Sequence, residues 1–276
     1  MWDTTTDASL RFARLVAGVW EIATVDAEAL SAEPCLAFDG ATPYISYYKD
    51  LNARDLSLAH EEPPGWVIEI IDYEPPPPKP LFSWRGKMSS MVIDLSGQKH
   101  ISYLAITGVP APIYSELKLA RKTDTSISLE VVGSEQTPSG FGGPTSIALD
   151  PVGCVRIAYL FGQYAAELGS LTVASEANPG GHWVLTAFPE GDSVRSPSLK
   201  ITGRGKSGMS YCSDEPLGSY WLKYMENTEG QWGDPEFLAE SVRKCSLSFT
   251  QDGRPSVAYQ YNPAPRVNHL QYVERW

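Results

Sequence analysis

The stretch Ser146-Ile-Ala-Leu-Asp-Pro-Val-Gly153, followed by Ile157-Ala-Tyr159, decides the fold because its pattern returns along the chain. The pattern reads Ser, apolar, any, apolar, Asp or Thr, then Gly after two residues, and finally an apolar residue, a small residue and Tyr. The other copies are 90–103, 198–211, 246–259 and a shorter one, 35–47, that begins with Cys. Their tyrosines recur every 48 to 56 residues, a period that predicts repeated small β-sheets, as in propellers.

Composition limits what the protein can be. The chain has 276 residues, of which 42% are hydrophobic and 20% are charged, and this favours one globular domain over residues 1–276. The formal net charge is -11. Nucleic acid and anionic membrane both require a basic surface, so neither is expected as a partner.

Four strands are predicted in each repeat, labelled A to D from the axis outward. Strands A and B form the repeated pattern itself. Period-two alternation then predicts strand C at 56–60, 117–121, 171–175, 222–226 and 270–274. Strand D, usually opened by Trp, follows at 66–72, 127–133, 183–189 and 232–238. The predicted blades are 31–73, 88–133, 144–189, 196–240 and 243–276, and the fold class is an all-β, five-bladed propeller of four-stranded antiparallel blades.

The two ends of the chain are out of phase with the blades. Segment 10–14 matches strand C and segment 20–26 matches strand D, whereas the last blade has no strand D of its own. We therefore expect strand 18–26 to pair with the C-terminal strands and close the ring. Both 10–14 and 270–274 qualify as strand C of the closing blade. Either one lies outside the sheet, or a partner chain uses both, so the protein is expected to be a monomer or a small homo-oligomer.

The repeated polar and aromatic residues have structural interpretations. A tyrosine opposite a small residue packs well between blades, so the five tyrosines are predicted to lie in the core. The residues that begin the A-to-B turns are predicted to cap backbone amides with a side-chain oxygen. They are Asp39, Asp94, Asp150, Thr202 and Thr250.

The loops indicate which face carries function. The A-to-B turns are tight, whereas the B-to-C and D-to-A loops are long, differ from one another and share the opposite face, which we call the loop face. Cationic and aromatic residues near the axis are the candidate ligand contacts: Trp84, Arg85, Phe141, Arg195, Lys200 and Arg243. Such groups suit a small polar or anionic ligand, either a glycan or an acidic metabolite.

Two further functions stay open at this stage. The first is an enzyme with a central active site, a hydrolase, lyase or isomerase. Its candidate acids or bases are Asp50, Asp214 and Glu215, with Arg85, Arg195 and Arg243 as an anion clamp. The second is a protein-interaction scaffold with an apolar surface patch.

The cysteines, the histidines and the N-terminal sequence predict the redox state, metal binding and location of the protein. The four cysteines are far apart with no C-x-x-C pair, so free thiols are expected, with a Cys212–Cys245 bridge as the alternative. The four histidines fall at different repeat positions, and neither a metal site nor a cofactor is predicted. The N-terminal sequence has no export signal, which favours the cytoplasm, although the mature form of a secreted protein would look the same.

Segments 146–159 and 171–188 resemble the blade repeats of bacterial propellers related to sialidase-like and lectin propellers. The sialidase Asp-box, S-x-D-x-G-x-T-W, has a Thr-Trp ending that no copy in this chain shows. The resemblance therefore implies the propeller fold without implying sialidase activity.

Overall fold

The computed structural model describes residues 9–29, 34–49, 55–73, 84–107, 114–136, 141–162, 170–188, 194–214, 220–264 and 267–274. Every regular element among these residues is a β-strand, which confirms the predicted all-β class. The described ranges contain no helix that is long and apolar enough to cross a membrane.

In chain order the strands are β1 Leu10–Val16, β2 Val19–Asp26, β3 Cys35–Asp39, β4 Thr42–Lys49, β5 Asp55–Glu62, β6 Gly65–Asp72, β7 Trp84–Ile93, β8 Lys99–Thr107, β9 Tyr114–Lys122, β10 Ile127–Gln136, β11 Phe141–Gly142, β12 Ser146–Leu149, β13 Val155–Gly162, β14 Ser170–Glu176, β15 Trp183–Ala187, β16 Val194–Ile201, β17 Ser207–Asp214, β18 Tyr220–Thr228, β19 Gln231–Trp232, β20 Glu236–Glu240, β21 Val242–Phe249, β22 Pro255–Ala264 and β23 Val267–Glu274.

Five successive antiparallel sheets form the blades of a propeller, as predicted: β3 to β6, β7 to β10, β11 to β15, β16 to β20 and β21 to β23. The inner strand of blade 3 is divided into β11 and β12, and the outer strand of blade 4 into β19 and β20. The second division contains Pro235, which has no amide hydrogen to donate to a neighbouring strand. Blade 5 has three strands within the described residues.

Four of the five repeated tyrosines lie in the core, as predicted. Tyr47, Tyr103, Tyr159 and Tyr211 are 0%, 0%, 2% and 0% exposed, whereas Tyr259 of blade 5 is only partly buried. Four of the five turn residues, Asp94, Asp150, Thr202 and Thr250, cap backbone amides as expected, whereas Asp39 pairs with Lys99 of blade 2 at 3.5 Å. In blade 3, the Oδ1 atom of Asp150 accepts hydrogen bonds from the amides of Val152 at 3.0 Å and Cys154 at 2.9 Å.

The residue that opens each repeat joins neighbouring blades. Its side-chain oxygen, or sulfur in the case of Cys35, accepts a hydrogen bond from a backbone amide on the inner strand of the next blade. The four pairs are Cys35 with Met91 at 3.2 Å, Ser90 with Ile147 at 3.3 Å, Ser146 with Leu199 at 2.9 Å and Ser198 with Leu247 at 2.9 Å. We call the contact between two consecutive blades a seam, and each of the four seams from blade 1 to blade 5 carries this bond.

The N-terminal strands form a hairpin of their own. Strand β2 pairs with β1 across the two-residue turn Ala17-Gly18, whose φ angles of 49° and 83° suit the tight turns that connect hairpins. We expected segment 18–26 to pair with the C-terminal strands, and this is wrong. Among the described strands, the only hydrogen-bonded neighbour of β2 is β1. A partner two residues away closes a far smaller loop than one at the other end of the chain.

The hairpin nevertheless packs on blade 1 as strands C and D of a preceding blade would. Its buried apolar side chains are Leu10, Phe12 and Val25, which form one cluster with Ile45, Tyr47 and Ala59. At the seam between blades 2 and 3 the same positions are filled by Leu117, Leu119 and Val132. Segment 10–14 thus covers blade 1, and segment 270–274 lies in β23 at the edge of blade 5.

The outer face of blade 5 and the inner strand of blade 1 are exposed to solvent. On blade 5, Ser246 is exposed, and Leu270 and Tyr272 are 86% and 63% exposed. On blade 1, Leu36 and Phe38 are 47% and 54% exposed. These exposed residues occupy repeat positions whose equivalents are buried at the four seams.

All four cysteines are free thiols, so the alternative of a Cys212–Cys245 bridge is not formed. Cys245 instead donates its thiol hydrogen to the carbonyl oxygen of Ser196 at 3.2 Å. The thiol therefore contributes to the seam between blades 4 and 5.

Candidate functional site

The candidate residues at the starts of inner strands lie on the loop face. Arg85 is the second residue of β7, Arg195 is the second residue of β16, and Asp214 ends β17. These strand ends carry the D-to-A and B-to-C loops. Three candidates fall outside what the structure describes: Asp50, Glu215 and the side chain of Phe141.

Three residues lie at the loop-face end of blade 4, and we call them the blade 4 cluster: Arg195, Asp214 and Tyr220. The guanidinium carbon of Arg195 lies 3.6 Å from the centroid of the Tyr220 ring. Asp214 stands opposite Tyr220 in the ladder between β17 and β18, so their side chains share one face of the blade. The cluster therefore combines a cation, a carboxylate and an aromatic ring.

Two polar atoms of the blade 4 cluster are buried and unpaired. They are the Nε–H donor of Arg195 and the Oδ1 acceptor of Asp214, and neither has a hydrogen-bond partner among the described residues. Leaving a buried polar atom unpaired costs about 1–3 kcal/mol, so such atoms are rare unless something else satisfies them. The donor of Arg195 and the acceptor of Asp214 therefore each have room for a hydrogen bond to a group outside the described residues.

A strained backbone segment follows Arg195. Ser196 has a φ of 52°, in the left-handed region that non-glycine residues seldom occupy, and the β16–β17 register shifts between Arg195 and Ser198. Bulges of this kind redirect side chains and are frequent beside binding sites. The Ser196 hydroxyl donates to the carbonyl oxygen of Arg243 at 3.4 Å, so the backbone of the exposed Arg243 adjoins this bulge.

A second polar group lies at the loop-face end of the seam between blades 1 and 2. Asp72 accepts hydrogen bonds from Lys118 and from the Tyr103 hydroxyl, each at 2.6 Å, and pairs with Arg85 at 3.4 Å. Burial alone would raise the pKa of Asp72, but the hydrogen bonds from Lys118 and Tyr103 bring the pKa below its ordinary value. Asp72 is therefore ionised at neutral pH and orients the cations around it.

Asp55, beside this group, is in the opposite electrostatic situation. Its side chain is 1% exposed, and neither carboxyl oxygen has a hydrogen-bond partner among the described residues. Burial raises the pKa of Asp55 to about 6, and the charge of Asp72 adds to this shift while Arg85 and Lys49 oppose it. Two carboxyls with pKa values displaced in opposite directions are typical of acid–base sites.

Trp84 and Lys87 extend this second group along β7. The Nζ atom of Lys87 lies 4.7 Å from the centroid of the Trp84 ring and 5.4 Å from that of Tyr48. Arg85, through Asp72, and Lys87, through Tyr48, thus both contact blade 1 at the seam between blades 1 and 2.

Lys200 lies at the other end of its strand. It is the penultimate residue of β16, next to the A-to-B turn, and so it is on the face opposite to Arg195. We call that side the turn face. Within the described residues there is no group of three or more His, Cys, Asp or Glu side chains placed to hold a metal ion.

Comparisons with known proteins bear on the scaffold. No family model and no curated protein matches the sequence. Among solved structures, an ulvan lyase of a new polysaccharide lyase family, bound to a GlcA(1-4)Rha3S chain, superposes with a TM-score of 0.56 at 13% identity. The match covers 89% of this chain and 70% of the lyase. The shared feature is the β-propeller fold.

Two further propellers match less closely. A Hadza microbial sialidase has a TM-score of 0.45 and 11% identity over 79% of this chain, and the chain spans about half of the sialidase, 52%. An exo-1,5-α-L-arabinanase from a bovine ruminal metagenomic library has a TM-score of 0.46 and 12% identity over 89% of this chain and 94% of its own. The propeller fold that the sequence resemblance implied is confirmed by the five blades of the structure and by the match to the ulvan lyase.

Sequence reasoning missed Asp55, Asp72 and Tyr220. One signal was available for Asp72, because strands β2 and β6 both end in aspartate, and each aspartate bonds the repeated tyrosine of the next blade. No comparable signal marks Asp55 or Tyr220, whose importance depends on burial and on neighbours from other strands.

Proposed function

We propose that this propeller binds a glycan on its loop face, with the blade 4 cluster contacting sugar hydroxyls. The observation that carries the proposal is the unpaired donor of Arg195 in one cluster with the unpaired acceptor of Asp214. A hydroxyl group donates one hydrogen bond and accepts others, so a ligand with several hydroxyls offers a partner to each atom. A purely anionic ligand would pair with Arg195 but would be repelled by Asp214.

Two further observations support a saccharide. Tyr220 supplies an aromatic surface with a polar tip, a combination that suits ligands with both apolar and hydroxyl-bearing faces. The ulvan lyase that shares the fold is bound to a GlcA(1-4)Rha3S chain. This likeness of fold supports the choice of a saccharide as the ligand class.

A glycan array followed by calorimetry of the best ligand tests the proposal. We expect Arg195→Ala and Asp214→Ala each to weaken binding roughly tenfold or more, about 1.4 kcal/mol. Because both side chains carry unpaired buried atoms, neither change should lower the free energy of unfolding by more than about 0.5 kcal/mol.

Arg11→Ala is the matched control, because Arg11 is an exposed cation on the hairpin. The proposal fails if no glycan binds, or if both blade 4 variants bind the selected glycan as well as the Arg11→Ala protein does. A loss of stability that accompanies the loss of binding would indicate that the cluster is structural.

A second candidate function is glycan cleavage, and a specific observation favours it. Asp55 has a pKa of about 6 and adjoins the ionised Asp72, so it holds a proton in the range where a general acid works. Asp55 would then donate this proton to the leaving glycosidic oxygen. Both carboxyls are almost fully buried, at 1% and 4% exposure, which is why binding at blade 4 is the first proposal.

Turnover of candidate polysaccharides by the wild-type protein and by Asp55→Asn tests this second function. We expect the wild-type rate to fall as pH rises through about 6, where Asp55 loses its proton, and Asp55→Asn to be inactive at every pH. Equal rates for the two proteins would exclude Asp55 as the acid.

A further inference from the structure

A second polar site lies on the turn face, away from the proposed glycan site. A cleft of about 720 Å³ runs between the A-to-B turns of blades 4 and 5. It is lined by cations from blade 4, by hydroxyl groups from both blades and by one carboxylate. The cations are Lys200, Arg204 and Lys206, the hydroxyl residues are Thr202, Ser248 and Thr250, and the carboxylate is Asp252.

The charges in this cleft are unbalanced. Asp252 pairs with Arg254 at 2.8 Å, and Lys206 pairs with Glu226 at 2.8 Å. Lys200 and Arg204 are both exposed, and no carboxylate among the described residues lies within ion-pair distance of either. Two unbalanced cations therefore share one cleft in a chain whose net charge is -11.

Both cations depart from the repeat. At the position of Lys200 the other inner strands have Ala37, Val92, Ala148 and Ser248, and at the position of Arg204 the other long turns have Ser96, Val152 and Asp252. The propeller therefore builds this strand and this turn without a cation in every other blade. Residues that differ at one place on a repeated scaffold are more readily explained by binding than by folding.

We propose that this cleft binds an oxyanion, with Lys200 and Arg204 as its charged contacts. An arginine can bind two oxygens of a sulfate, phosphate or carboxylate at once, a lysine adds a point charge, and the neighbouring hydroxyls supply further donors. Lys200 also lines an adjoining cavity of about 570 Å³ between the inner strands of blades 2 to 4. An anionic group held at Lys200 can therefore belong to a larger molecule that extends into this cavity.

The proposal is independent of the loop-face site, and the experiment keeps the two apart. Amide chemical shifts are followed by NMR at low ionic strength during titration with sodium sulfate, phosphate, glucuronate and, as the neutral control, glucose. We expect a saturable response at Gly203, Gly205 and Gly253 with at least one anion and none with glucose. Which anion binds most tightly distinguishes a tetrahedral oxyanion from a carboxylate.

The variants are Lys200→Ala and Arg204→Ala, and the control is Arg11→Ala, which removes the same charge from an exposed site on the hairpin. Each cleft variant should bind the preferred anion at least tenfold more weakly, with an unchanged melting temperature. The control should bind as the wild-type protein does. The proposal is overturned if no anion perturbs the cleft, if glucose perturbs it equally, or if Arg11→Ala weakens binding as much as the cleft variants do.

Discussion

Equivalent residues of the repeat are covered by the next blade at the four seams between blades 1 and 5, but they are exposed on the free face of blade 5. At a seam the opening serine or cysteine accepts an amide hydrogen bond from the next blade, as Ser146 does from Leu199 at 2.9 Å. On blade 5 the equivalent Ser246 is exposed, and Leu270 of strand C is 86% exposed. The sequences of the two regions are alike, so their different contributions to stability come from the neighbour and not from the repeat.

The N-terminal hairpin shows how far part of a blade can replace a whole one. It covers the outer strands of blade 1 through Leu10 and Phe12, but no inner strands accompany it in the part of the chain that the structure describes. Leu36 and Phe38 on the inner strand of blade 1 stay about half exposed, at 47% and 54%, because none of the described strands covers them. The hairpin supplies only the outer strands C and D, so it forms only the outer part of a seam.

The largest expected effect is loss of the hairpin. Deleting residues 1–27 removes the apolar cover of Ile45 and Ala59, and it removes Asp26, which accepts hydrogen bonds from Tyr47 at 2.8 Å and Lys49 at 2.9 Å. We expect aggregation or failure to fold, because an apolar sheet face becomes exposed. Solubility and thermal melting measure this. A soluble deletion protein that melts cooperatively near the wild-type temperature would contradict the assignment of the hairpin as part of a seam.

The second prediction compares the same residue in two blades. Tyr159→Ala should destabilise the protein by about 3–5 kcal/mol, because a ring that is 2% exposed leaves a cavity. Tyr259→Ala should cost about 1–2 kcal/mol, since this ring is only partly buried and its hydroxyl donates to Gln271 near the surface. Chemical denaturation of both variants measures the difference. Equal losses would show that blade 5 is covered in solution.

The sequence predicted the features of the fold that depend on the spacing within the repeat, and it did not predict the pairing of the N-terminal strands. The tyrosine and turn positions were predictable because Tyr159 and Asp150 recur at a fixed spacing that is visible in the chain. The pairing partner of β2 was not predictable. Segments 10–14 and 270–274 both match strand C, and the repeat does not say which of them pairs with β2. The turn at Ala17-Gly18 decides that choice locally.

The candidate site was predictable to a smaller degree. Arg85 and Arg195 were placed on the loop face by counting strands, which requires only topology. Asp55 was missed because its raised pKa depends on burial and on Asp72, which comes from a different strand. Lys200 was assigned to an inner strand, and its place two residues before the turn residue Thr202 already indicated the turn face, although it was grouped with the loop-face candidates.

The third prediction concerns a residue that weakens a closed seam. The pKa of Asp55 is raised from 3.8 to about 6, so the folded protein holds this proton more tightly than the unfolded chain does. The ionised form is therefore destabilising. The penalty is absent below pH 4, grows between pH 4 and 6, and is complete above 6, where it amounts to about 3 kcal/mol.

Asp55→Asn should accordingly unfold at higher denaturant than the wild-type protein at pH 8, with the two curves converging as pH falls to 4. Asp72→Asn is the matched variant, and it should be destabilised at pH 8 because Lys118 and Arg85 lose their buried counter-charge. A pH-independent difference between wild type and Asp55→Asn would contradict the raised pKa.

The smallest expected effect tests the comparison most directly. Ser198→Ala removes the acceptor of the Leu247 amide at the seam between blades 4 and 5, and it should cost about 1–3 kcal/mol because a buried donor is left unpaired. Ser246→Ala should stay within about 0.5 kcal/mol, since Ser246 is exposed. Ser198→Cys should recover part of the loss, because the sulfur of Cys35 accepts the equivalent bond at 3.2 Å.

Denaturant unfolding of the three variants measures these differences in stability. Equal losses for Ser198→Ala and Ser246→Ala would mean that blade 5 has a partner in solution, and by the rule of the other seams the donor would be the amide of Leu36, which follows Cys35.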